Sequence, residues 1–152
     1  MTIKSITPFL WFDTQAEDAA NFYVSLFPNS KITHVSRYGD TGPGPKGSVM
    51  VVAFELNGRP LLALNGGPRQ KLSEAFSLFV ECTDQADIDR LWDALTDTPS
   101  VRGWTKDRFG LSWQIGYERL PELLSGPKSG KVMAAVMKMT KIDIQALKDA
   151  AA

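Results

Sequence analysis

The sequence predicts an α+β fold of two strand–helix–strand–strand–strand modules followed by a helical tail. Three observations carry this. The two halves run through the same order of elements. Their strand-to-helix junctions, Phe12-Asp-Thr-Gln-Ala-Glu17 and Glu81-Cys-Thr-Asp-Gln-Ala-Asp87, echo one another. Beyond Leu120 the apolar residues change from alternation to helical spacing. The modules cover about residues 1–68 and 72–118 and the tail about 119–152, all within one domain, which suits a chain of 152 residues.

In the first module, Ile3 to Asp13 is β-favouring and aromatic, with Pro8 marking an interruption or an edge. Gln15 to Phe27 is predicted as a helix. Thr14-x-x-Glu17 has the form of a capping box, and Ala16, Ala19, Ala20, Tyr23 and Phe27 make its buried face. Pro28-Asn-Ser30 stops it. Lys31 to Tyr38 alternates as a strand, Gly39 to Gly47 is a loop, and Ser48–Leu56 and Arg59–Leu64 are strands joined by the hairpin signal Asn57-Gly58.

In the second module, Ala75 to Glu81 is an apolar strand. Asp84 to Leu95 is a helix with Ile88, Leu91, Trp92 and Leu95 facing inward. Strands near Val101–Thr105 and Leu111–Tyr117 flank a charged turn at Asp107–Gly110. In the tail, Leu120–Leu124 forms a short turn. Lys131 to Met139 is apolar on more than one side, which a second subunit would cover, and Thr140-x-x-Asp143 caps a last helix.

Composition removes several classes of function. Lys and Arg number 17 against 17 Asp and Glu, so there is no basic excess for nucleic acid. No apolar run approaches 18 residues, and no signal-peptide stretch is visible, so a cytoplasmic, bacterial-type protein away from membranes is expected. Cys82 is the one cysteine, more simply a buried thiol than a nucleophile. His34 is the one histidine, which rules out a two-imidazole zinc motif. Gly42-Pro-Gly-Pro-Lys-Gly47 matches G-x-G-x-x-G in letters only. A β-rich run follows it where phosphate binding needs a helix N-terminus.

The candidate site residues come from strand alternation. Trp11, Trp104 and Trp113 lie in strands beside polar neighbours, where aromatics either pack a core or line a cavity. Asn65 ends a strand at Gly66-Gly67. Gln114 alternates with Trp113 and Ile115, so it faces the concave side of a sheet. Glu74, at the start of an apolar strand, is the candidate base if a pocket raises its pKa.

Thr7-Pro-Phe-Leu-Trp-Phe-Asp13, Ala16-Glu-Asp-Ala-Ala-Asn-Phe-Tyr23, Leu26-Phe-Pro-Asn-Ser30, Ala63-Leu-Asn-Gly-Gly-Pro68 and Asp107-Arg-Phe-Gly-Leu-Ser-Trp-Gln114 together resemble the PhnB-like group. That group lies in the vicinal oxygen chelate (glyoxalase/bleomycin-resistance) superfamily, and its members often carry the name 3-demethylubiquinone-9 3-methyltransferase. The resemblance implies two βαβββ modules curling into a mixed sheet around a cavity, usually in a homodimer. In metal-using relatives the first and fourth strands of each module supply four ligands. The matching positions are placed near Pro8, Val52, Ala75 and Gln114, three of which cannot ligate through a side chain. Many members carry His where this chain has Arg69.

The expectation is a protein without metal or cofactor that binds a small organic molecule. Phe9, Trp11, Asn65, Trp104, Trp113 and Gln114 would line the cavity, with Glu74 as base if it is an enzyme. The alternatives are a metal-dependent glyoxalase- or dioxygenase-type enzyme using Glu55, Glu74 and His34, a binding protein that sequesters a toxic compound, and a methyltransferase. The last would need a Gly-rich strand-to-helix turn for S-adenosylmethionine, and the sequence has none.

Overall fold

Strand β1 (Phe9–Phe12) begins directly after Pro8, later than the Ile3 start expected. Proline has no N–H to give to a ladder, so it stands at the boundary, where its carbonyl accepts the Leu62 N–H at 3.0 Å. The computed structural model describes all 152 residues, in two units, Met1–Leu72 and Ser73–Ala152.

In the first unit β1 is followed by α1 (Ala16–Leu26), β2 (Lys31–Arg37), β3 (Val49–Leu56) and β4 (Arg59–Asn65). The sheet order is β1-β4-β3-β2, with β1 parallel to β4 and the other pairs antiparallel. Asn57 (φ 49°) and Gly58 (φ 77°) both take the left-handed backbone that the tight turn between β3 and β4 requires. Helix α1 packs across β2, β3 and β4 and buries Ala16, Ala19, Ala20 and Tyr23. Beneath it lie Leu10, Phe12, Val52, Phe54, Leu61 and Ala63, one face of the sheet. Each large apolar side chain so covered contributes roughly 1.5–3 kcal/mol.

The expected capping box does not form. Gln15 is the N-cap and makes no side-chain cap bond, and the Ala16 N–H is taken by the Asn65 Oδ1 at 2.8 Å. A distant residue thus does what Thr14 was expected to do.

The second unit repeats the plan with β5 (Ser77–Cys82), α2 (Gln85–Leu95), β6 (Thr98–Pro99), β7 (Trp104–Lys106) and β8 (Ser112–Tyr117), in the order β5-β8-β7-β6 with β5 parallel to β8. The two-residue β6 is too short to show alternation in the sequence, and the strand expected near Val101–Thr105 begins only at Trp104. Asp84 caps α2 through Asp87 N–H (2.9 Å). Ile88, Leu91 and Leu95 are buried, while Trp92, expected beside them, stays half-exposed at the flank.

The tail forms α3 (Leu120–Ser125), α4 (Ser129–Val136) and α5 (Ile144–Ala151). Helix α4 ends before the expected Met139. The cap of α5 is Asp143, whose Oδ1 accepts the Ala146 N–H at 3.0 Å, so Thr140 does not serve. No helix is long and apolar enough to cross a membrane.

Candidate functional site

Successive side chains of a strand point to opposite faces, so register decides which residues share a surface. In the first unit the face away from α1 carries Phe9 and Trp11 from β1, Leu62 and Leu64 from β4, and Val51 and Ala53 from β3. His34 and Ser36 of β2 stand opposite Ala53 and Val51. Phe9 is 51% exposed. Trp11 is half-buried: its Nε1 donates to the Gly67 carbonyl at 2.9 Å, and its ring lies against Gly66 so closely that a Cβ there would sit 2.4 Å from it. Asn65 pairs with the buried Phe12 and so belongs to the α1 side, where its Nδ2 also donates to the Val49 carbonyl at 3.2 Å.

That α1 side opens at its end into a cleft of about 480 Å3 between the start of α1 and the Gly/Pro loop. Asp13, Glu17, Asp18, Tyr38, Gly44 and Asn65 are among its walls. Gly44 lies on the ring of Tyr38, whose hydroxyl donates to the Asn65 carbonyl, so the loop is seated on an aromatic anchor. It leads into β3, a strand, so no helix follows its glycines, and the start of α1 across the cleft carries Glu17 and Asp18, which repel a phosphate.

In the second unit the face away from α2 is built in rows across β5, β8 and β7. Ser77, Ser112 and Lys106 form one row; Phe79, Gln114 and Trp104 form the next; Glu81 and Gly116 follow. Gln114 Nε2 donates to Ser77 Oγ at 3.0 Å, and the Phe79 ring, 55% exposed, rests over Gly116. Lys106 pairs with Glu74. Ser112 is 2% exposed, and its hydroxyl has no hydrogen-bond partner.

Three expectations need correction. Asn65 lies on the α1 side of its sheet and shares no face with Phe9 and Trp11. Trp113 and Gln114 cannot line the same surface, because they are adjacent on β8. Trp113 is 1% exposed on the α2 side, with its Nε1 donating to Asp107 Oδ2 at 2.8 Å. Glu74 does not enter a pocket. Its side chain is largely exposed, and the hydrogen bond and charge of Lys106 hold its carboxyl below the usual range, whereas a buried base would be raised. Alternation along β8 puts Gln114 and Ser112 on the face away from α2, and the ladder to β7 adds Lys106, a neighbour that alternation within one strand does not show.

A family model described as 3-demethylubiquinone-9 3-methyltransferase matches residues 4–116. The chain belongs to this family. The PhnB protein of Bacillus cereus is 35% identical, with a TM-score of 0.64 over 74% of this chain and 98% of that one. A Pseudomonas aeruginosa protein (20% identity, TM-score 0.60, 76% and 98% coverage) and an Arabidopsis thaliana gene product (17%, 0.51, 75% and 98%) share the fold. No curated protein matches.

The family fold corrects the ligand register read from the sequence. Val52 lies on the third strand and faces α1, completely buried. The fourth strand is β4, whose open-face residues are Leu62 and Leu64. Ala75 precedes β5, and the β5 residue that meets Gln114 is Ser77. Where metal-using relatives place ligands on the first and fourth strands, this member of the family has Phe9 and Leu62 in one unit and Ser77 and Gln114 in the other. No three His, Cys, Asp or Glu side chains converge as a metal ion needs. The residues present do not fit that metal.

Proposed function

We propose that the chain binds a small organic molecule, without a metal, on the open face of the β5–β8 sheet. The observation that carries this is the direct pairing of Trp104 with Gln114, and the linkage of Gln114 to Ser77, at the first- and fourth-strand positions. An aromatic side chain offers apolar area, and an oriented amide offers one donor and one acceptor, the combination that fixes a small ligand. The Gln114 carbonyl oxygen remains available to the ligand.

The family's name speaks of methyl transfer. Neither strand-to-helix turn, Asp13-Thr-Gln15 or Thr83-Asp84, contains a glycine that would let a methyl donor approach the backbone, which favours binding over transfer. The same reading has the protein acting as a homodimer, supported by the exposure of Met133 on α4 and of Met137 at its C-terminal cap.

The test is a titration of 15N-labelled protein with a set of small aromatic fragments. The Trp104 indole N–H and the Gln114 side-chain amide are expected to shift together and saturably, with the buried Trp113 indole unmoved. Shifts confined to the Asp13–Asp18 cleft, or none, would overturn the reading.

A further inference from the structure

The row that joins Ser77, Ser112 and Lys106 lies immediately beside the row of Phe79, Gln114 and Trp104 on the same face. Two features of the polar row are unused by the fold. The Ser112 hydroxyl is buried and unpartnered, although buried polar groups are almost always bonded. Lys106 is engaged only by Glu74, an exposed carboxylate on the segment before β5 that is free to turn into water. An ion pair at such a surface is weak, so a better-placed anion displaces it at little cost. Glu81 is the face's other charge and stands beyond the aromatic row, so the face is positive at one end and negative at the other.

We propose that Lys106 and Ser112 form an anion subsite, and that the molecule held on this face is a small aromatic carboxylate. This rests on the binding face assigned above and names its ligand class. The ring lies along Trp104 and Phe79 beside the Gln114 amide. The carboxylate reaches the next row, where Lys106 leaves Glu74 for it and the Ser112 hydroxyl donates to it. Same-face neighbours along a strand are about 6.6 Å apart, a span covered by a ring with a carboxylate one or two bonds away. The arrangement is also selective. An uncharged amide of the same shape gains nothing from Lys106 and leaves the Glu74 pair in place.

The experiment compares benzoate and phenylacetate with benzamide and phenylacetamide by the same 15N titration at fixed ionic strength, on the wild-type chain and on Lys106→Met, Ser112→Ala and Glu74→Gln. The acids are expected to bind about tenfold more tightly than the amides. Lys106→Met should abolish that preference, Ser112→Ala should weaken the acids alone, and Glu74→Gln should tighten them by freeing Lys106. The last variant alters an exposed side chain, so it reports even if another variant fails to fold. Equal affinity for acids and amides, with shifts still at Trp104 and Gln114, would overturn the anion subsite and leave the binding face standing. No shift at Trp104 or Gln114 with any of the four compounds would overturn both.

Discussion

Asp107 sits in the charged triplet Lys106-Asp-Arg108, which in sequence reads as a solvated turn, yet it is 3% exposed. Its Oδ1 accepts the backbone N–H groups of Phe109 (2.8 Å) and Leu111 (3.1 Å), and its Oδ2 accepts the Trp113 indole. One carboxylate therefore shapes the β7–β8 turn and fixes the largest core side chain of its unit. Removing it strands buried donors, so Asp107→Ala is expected to cost about 3 kcal/mol. Urea unfolding followed by tryptophan fluorescence checks this, and an unchanged midpoint would refute the role. Cys82 makes the opposite case, a group the fold keeps neutral. Burial first, then the charges of Asp87 and Asp84, push its thiol up to about 11 from 9.0. The unfolded chain loses this proton first, so the stability tied to the neutral thiol is complete below about pH 9 and is lost as pH rises toward 11. A thiol-specific chromogenic reagent at pH 8 should react with the native protein only at the rate of unfolding. Immediate reaction would mean the thiol is open.

At the scale of elements, Gln85 shows how the tail is held. Its Oε1 accepts the Ile144 N–H (2.8 Å), and its Nε2 donates to the Ile142 carbonyl (2.9 Å) and to Asp89 (3.0 Å), while Lys141 pairs with Asp89 at 2.8 Å. Helix α2 therefore grips the strap that leads into α5 through one amide. Gln85→Ala is expected to lower stability by about 1–2 kcal/mol and to open the chain to protease between Met137 and Asp143; unaltered cleavage would show that packing alone holds the tail. The same comparison marks what the sequence makes legible. The Asn57-Gly58 hairpin depends on neighbouring residues alone, and it appears where local chemistry predicts it. The α1 cap does not, because its acceptor, Asn65, comes from the end of β4. Alternation separates the two faces of a strand but does not align one strand with the next. Hence the sequence shows which residues alternate with Gln114 but not that Ser77 is its partner, nor that Leu62 rather than Val52 stands on the open face.

At the scale of the whole molecule, the repeated βαβββ plan gives two sheets of the same order, yet the residues on their open faces have diverged. The first is mostly apolar, with Phe9, Trp11, Leu62 and Leu64. The second carries the Gln114 amide, the Ser77 and Ser112 hydroxyls and Lys106. The reading also expects a homodimer, so mass and occupancy can be read together. Native mass spectrometry of the chain purified without chelator distinguishes a metal-free ligand complex from a metalloprotein. A dimer carrying a small organic adduct and no metal is expected, with the adduct lost in Gln114→Ala. One tightly held metal ion per subunit, retained in that variant, would contradict this.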